Sequence, residues 1–256
     1  MTHKLLQLLV ISPFVAASAI ILLMPLRAEA AEVSEATSAL LTAIMANSSV
    51  QARAAIAGGA NVNADTGEGR SPLIVAAMST RPDLVQLLLD HGADTRTRAE
   101  DPSVGNAVTA AFFAMNGTEL TGRSDEPDAR KHAAALQVLK LVAARKQDLN
   151  LLVKRGQTEL SALMIAAQAG ALDAVEVLLA AGADANTANG GKYTALDYAV
   201  DRAPVWSQAP VADRVGIVRA LLKAGARKDR KGADGLTPAA RAARSGNAEI
   251  AKLLAG

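Results

Sequence analysis

The chain has 256 residues, half of them hydrophobic but only 2% aromatic, so its core must come from thin alanine- and leucine-rich helices stacked at regular spacing and not from aromatic clusters. Twenty-seven basic side chains stand against 25 acidic ones, a net charge of +2 with both signs interspersed and no basic run longer than three residues. That excludes the clustered basic face of a nucleic-acid binder. Zero cysteines exclude thiol catalysis, disulfide staples and cysteine-ligated zinc, and are compatible with an oxidising compartment.

The first thirty residues differ from the rest. Lys4 precedes an apolar run from Leu5 to Leu26, broken only by Gln7, two serines, Pro13 and Pro25, and then comes Arg27-Ala28-Glu29-Ala30-Ala31. A positive start, an apolar middle and an A-x-A end are the parts of a secretory signal peptide, with cleavage expected after Ala30. The run is also long enough to span a bilayer, which keeps an uncleaved anchor open. Residues 1–30 are thus expected to be a signal peptide or membrane anchor, and residues 31–256 one domain. Either outcome places that domain outside the cytoplasm: free in the periplasm, or tethered to the inner membrane and facing the periplasm.

From residue 33 onward one pattern returns. SPLIVAAMSTRPDLVQLLLDHGADTRT (Ser71–Thr97) is a looser copy of SALMIAAQAGALDAVEVLLAAGADANT (Ser161–Thr187). Its glycine marker recurs at Gly59, Gly92, Gly182 and Gly225, with Lys146 in that place in a degenerate copy, KQDLN. Ser71-Pro72, Ser161-Ala162, Thr194-Ala195 and Thr237-Pro238 read as starts of a first helix, where a hydroxyl caps free N–H groups and proline is tolerated. Thr194-x-x-Asp197 is close to a capping box. Ala76-Ala77, Ala166-Ala167 and Ala242-Ala243 permit close helix approach. A second helix has apolar residues at helical spacing, such as Leu172, Val175, Leu178 and Leu179, and ends at the marker glycine.

A period near 33 residues with these phrases resembles the ankyrin repeat. The resemblance covers residues 34–256 and implies an all-α solenoid of about six helix-turn-helix units with short loops or hairpins between them. The units fall at Val33–Asp65, Thr66–Thr97, Arg98–Asn150, Leu151–Thr187, Ala188–Arg227 and from Lys228 onward. Polar insertions are expected at 118–130 in unit three and 202–213 in unit five. The histidine of the usual T-P-L-H phrase is replaced by Ile74, Met164, Asp197 and Ala240. Phe112 and Phe113 are expected in the core.

Catalytic chemistry has little support. His3 lies in the leader, and His91 and His132 fall at helix ends in neighbouring units. Gly67-Glu68-Gly69 has no preceding strand or third glycine and reads as a loop tip. Asp94, Asp148 and Asp184 share one repeat position, which predicts a structural role in the loop. The chain is therefore expected to be no enzyme, to take no cofactor or metal and to bind no nucleic acid.

The resemblance implies that another protein is the partner, bound by loop tips and the exposed side of first helices. Positions carried over by offset are Glu68, Arg70, Met78 and Arg98, then Gln157, Thr158 and Gln168, and finally Tyr193, Arg202, Asp234 and Arg244. Trp206, in the unit-five insertion, either packs that insertion or anchors the partner. Tyr193 is expected to point away from the core. The expected function is an exported protein-binding module, a monomer, serving stress defence or toxin neutralisation; a membrane-tethered scaffold is the alternative, and only then is a membrane a partner.

Overall fold

The computed structural model describes residues 34–66, 69–115, 129–145, 148–200 and 211–256. Contacts divide the chain at Ser34, and the unit that follows, Glu35–Gly256, contains all the elements below. Among the described residues helices come in six pairs: α1 (Glu35–Met45) with α2 (Ser49–Ala57), α3 (Pro72–Met78) with α4 (Pro82–Asp90), α5 (Ala107–Met115) with α6 (Ala129–Ala143), α7 (Ala162–Ala169) with α8 (Leu172–Ala180), α9 (Ala195–Val200) with α10 (Val211–Lys223), and α11 (Pro238–Arg244) with α12 (Ala248–Ala255). One hairpin, β1 (Val153–Arg155) and β2 (Thr158–Leu160), pairs Val153 with Leu160 between units three and four. Helices α6 and α10 each begin inside the stretch expected as insertion, at Ala129 and Val211. The remainder of both insertions, and the leader with its cleavage site, lie outside the described residues.

The helices start where hydroxyls say they should. Ser71, Ser161 and Thr237 are extended, and each hydroxyl accepts the N–H three residues on, from Ile74, Met164 and Ala240 at 3.2–3.4 Å. Two of the residues replacing the expected histidine supply its acceptor by other means. The Asp197 carboxylate takes both the N–H and the hydroxyl of Thr194, at 2.8 and 3.1 Å. The Met164 sulfur accepts the Ser161 N–H at 3.4 Å, a weak bond.

Stacking follows the pairs. First helices pack α1 on α3 on α5 on α7 on α9 on α11, and second helices pack α2 on α4 on α6 on α8 on α10 on α12. One continuous core runs between the rows, from Leu40 through Leu73, Leu88, Phe112, Leu139, Leu163, Leu178, Leu196 and Leu221 to Leu254. Alanines 76, 77, 110, 111, 166 and 167 are fully covered, which is the close approach that their small size allows. The side chain of Phe113 lies outside the described residues.

A second seam joins the units at the loops. In GADxN-type loops the first polar residue accepts the N–H two residues on: Asn61 from Asn63, Asp94 from Arg96, Asp148 from Asn150 and Asp184 from Asn186, at 2.8–3.1 Å. The shared aspartate position is thus structural, as its recurrence predicts. The asparagine two residues later reaches into the next unit. Asn63 accepts the Asp94 N–H, Asn150 that of Asp184 and Asn186 that of Arg227, at 2.7–2.9 Å. Asn63 and Asn186 also donate to the carbonyls of Gly92 and Gly225. Where Arg96 replaces the asparagine, Asn106 donates to the Asp148 carbonyl at 2.8 Å instead.

The marker glycines have positive φ, +97° at Gly182. A Cβ there would meet nothing within 4 Å. Gly182→Ala should therefore cost only the left-handed backbone term, about 1 kcal/mol in denaturant unfolding.

Candidate functional site

The surface that could hold a partner is built by the first helices and the loops preceding them. Those loops are linked by backbone bonds: Glu100 N–H to Gly69 O at 3.1 Å, Lys154 N–H to Pro102 O at 2.9 Å, and Ala233 N–H to Gly191 O at 2.9 Å. Gln157 and Thr158 stand exposed at the hairpin. Arg98 is exposed and bonds Asp148 at 2.8 Å, so it ties the two ends of unit three together as well as facing solvent. Arg70 is half-buried and its charge helps hold the Asp101 carboxyl below its ordinary value, after the stronger hydrogen bonds from the Ser103 hydroxyl and N–H. Met78 is half-buried against the core. Gln168, also half-buried, accepts a bond from Arg214 through its carbonyl at 3.1 Å. Glu68, Arg202 and Trp206 lie outside the described residues.

Tyr193 does not point away from the stack. Asn189 closes the loop on itself, its Oδ1 accepting the N–H groups of Gly191 and Tyr193 at 3.0 and 3.1 Å, and this turns the ring inward. The ring lies under the Arg241 guanidinium, 4.8 Å from centroid to Cζ, and meets Tyr198 edge-on at 6.4 Å. Gly232 makes the room: a Cβ there would stand 2.3 Å from the ring. Tyr193 is thus half-buried at the junction of units five and six.

The sequence reading missed the centre of that junction. Arg241 is 6% exposed and faces Asp197, 5% exposed, at 3.5 Å on one side, and bonds Asp234 at 2.7 Å on the other. Arg244, exposed, reaches the second oxygen of Asp234 at 3.4 Å. So Tyr193, Asp234 and Arg244 come together through an arginine that AARAAR marks only as a helix residue. The Tyr198 hydroxyl accepts from Asn189 at 2.9 Å, and burial pushes its pKa above 10.0, against that bond. His91 Nδ1 bonds the Leu87 carbonyl, a local cap, while His132 pairs with Asp173 of the next unit at 2.6 Å. Arg214, buried at the start of α10, donates to the ends of two first helices, at Gln168 O and Ala199 O.

A groove of about 750 Å³ lies between the ends of α6 and α8, lined by Ala143, Leu149, Asn150, Val177 and Ala181 among others. Among the described residues no group of three or more His, Asp or Glu side chains could hold a metal ion. No helix among them is long and apolar enough to cross a membrane.

Acid should loosen the seams. For Asp83, the Arg81 hydrogen bond outweighs desolvation and holds the carboxyl below its ordinary 3.8. Burial pushes Asp234 up, but bonds from Arg241 and the Leu236 N–H and the two arginine charges bring it below 3.8 as well. A carboxyl depressed in the fold contributes stability above the unfolded value and loses it as pH falls through the folded one. The melting temperature should hold from pH 7 to 5 and drop below about pH 4, less so in Asp83→Asn.

A stack of paired helices with a shared core and exposed connecting loops defines the helical-repeat solenoids. Ankyrin repeats (3 copies) match residues 8–99, and ankyrin repeats (many copies) match residues 141–199, together more than half of the chain. The chain belongs to the ankyrin-repeat proteins, and its fold is that of a protein–protein interaction module, ordinarily non-catalytic. The first match begins within the apolar leader. Among curated proteins none matches. An ankyrin repeat domain, ABAYE2397 from Acinetobacter baumannii AYE, is similar at 24% identity and TM-score 0.66, covering 84% of this chain and 95% of its own. The ankyrin repeat protein EF0377 is similar at 25% identity and TM-score 0.64, covering 86% and 97%. A chain from the structure of the predatory endopeptidase Bd0816 from Bdellovibrio bacteriovorus in complex with immunity protein Bd3460 is similar at 22% identity and TM-score 0.59, covering 88% and 98%.

Proposed function

We propose that this chain is exported to the periplasm, where residues 31–256 act as a monomer without catalysis of their own and hold another protein non-covalently. The role that we favour is neutralisation of a damaging enzyme; service in stress defence is a second form of the same reading. The observation that carries it is the loop seam. Asparagines 63, 150 and 186 fix unit one to two, three to four and four to five, so the loops at those junctions are ordered before any partner arrives. Less conformational freedom is then lost on binding. A solved complex of an endopeptidase with an immunity protein among the structural neighbours supports the form of the partner. The A-x-A end of the leader supports export.

The test is to recover the chain from the envelope of its source, sequence its N-terminus and assay the protein that co-purifies. A start at Ala31, with a co-purified enzyme whose activity falls in proportion to added chain, is expected. Full-length chain in the cytosol would contradict export. A full-length form in the membrane fraction would select the tethered scaffold, which the 22-residue span from Leu5 to Leu26 favours.

A further inference from the structure

Charge is not evenly distributed along the stack, although no basic run announces it. Residues 214–256 hold ten lysines and arginines against three acids, a net of +7 in a chain whose total is +2. Residues 35–130 hold seven against twelve, and residues 131–213 eight against eight. Each helix row packs in sequence order, so the charges of residues 214–256 lie on the last two units.

Five of the ten cations are engaged in the fold. Arg214 and Arg241 are buried, Arg227 pairs with Asp229 and Arg244 with Asp234. Arg230, half-buried, donates to the Asn186 carbonyl. The other five, Arg219, Lys223, Lys228, Lys231 and Lys252, are exposed and have no acid partner among the described residues. Arg219 and Lys223 stand four residues apart on α10, a like-charge spacing that costs helix stability. Lys228 and Lys231 lie in the next loop, and Lys252 lies on α12.

We propose that the C-terminal end of the stack docks on an anionic phospholipid surface through these five cations. Arg219 and Lys223 stand on α10, Lys228 and Lys231 in the loop that follows and Lys252 on α12, all within the last two helix pairs, whose second helices pack together. Four of the five are lysines, point charges without the planar fork that selects a carboxylate or a base edge. The exposed large apolar residues among the described ones, Met45 and Val50, belong to unit one, so adsorption at this end is electrostatic. Of the loop and first-helix face, docking by this end engages only the loop of Lys228 and Lys231, and vesicle binding is measured apart from protein capture.

The test is co-sedimentation of the full chain with vesicles of phosphatidylglycerol and phosphatidylcholine in equal parts, and with phosphatidylcholine alone. Neutral vesicles measure whatever the apolar leader contributes. Binding should be tighter to the anionic vesicles, with the excess removed by high salt. A triple variant, Lys228→Gln, Lys231→Gln and Lys252→Gln, should lose about 100-fold of that excess, roughly fivefold per charge. Its melting curve verifies that it is folded. Equal binding to both vesicles, or a folded triple variant that binds like wild type, would overturn the proposal. So would binding to polyglutamate or duplex DNA with none to the vesicles.

Discussion

Arg241→Ala should be among the most destabilising single changes in the stack, with a loss of about 3 kcal/mol in urea unfolding. The reason lies in what the guanidinium leaves behind. Asp197 would stay buried, its Oδ2 on Thr194 and its Oδ1 facing no cation. Tyr193 would lose the charge over its ring, and Asp234 its shortest partner, at 2.7 Å. Removing one member of a buried pair costs far more than the pair contributes, because the other charge remains without water. Arg244→Ala is the control. It touches the same Asp234, but from a side chain 60% exposed, and exposed pairs contribute well under 1 kcal/mol. Arg241→Lys keeps the charge without the fork and should fall between them. Equal unfolding midpoints for Arg241→Ala and Arg244→Ala would mean that the junction does not hold the last unit.

Gly105→Ala should cost about 3 kcal/mol, three times the loss at Gly182, although both glycines have positive φ. Gly105 has φ +72°, and a Cβ built on it would stand 2.3 Å from Val153 Cγ1 and 2.6 Å from Thr109 Oγ1. Neither neighbour has room to give. Val153 is fully buried in β1, and the Thr109 hydroxyl is held by bonds to Val104 O and Asn106. The methyl therefore adds overpacking to backbone strain, where at Gly182 only strain applies. Thermal melts of the two variants side by side would check it, and equal shifts would show that the β1 hairpin yields freely.

The parts of this fold that could be read from sequence are those that repeat. Ser71-Pro72 and Thr237-Pro238 mark helix starts because hydroxyl and proline each answer a need of a helix N-terminus, and the structure places caps there. The aspartates of the GAD loops were legible for the same reason. The asparagines two residues later recur at the same offset and were overlooked, because their bonds run to the next unit and a single repeat gives no hint of them. Arg241 was illegible in a different way. An arginine in AARAAR reads as solvated surface, and only the inward turn of Tyr193 over Gly232 encloses it. Tyr193 itself was misplaced because a loop position normally exposed was assigned by offset, while Asn189 bends this loop back. The charge gradient stayed hidden because its cations are spaced along two helices and a loop and never form a run.

Site-specific photo-crosslinking in the native cell tests the central claim, capture of a protein by the loop and first-helix face, most directly. A crosslinking side chain would replace Gln157 at the hairpin or Lys192 in the unit-five loop, both exposed on that face, and Gln137 or Glu176, exposed on the second helices α6 and α8. The account predicts adducts to one and the same protein from positions 157 and 192 and none from 137 and 176. Adducts from 137 and 176 alone, or none from any of the four, would contradict it.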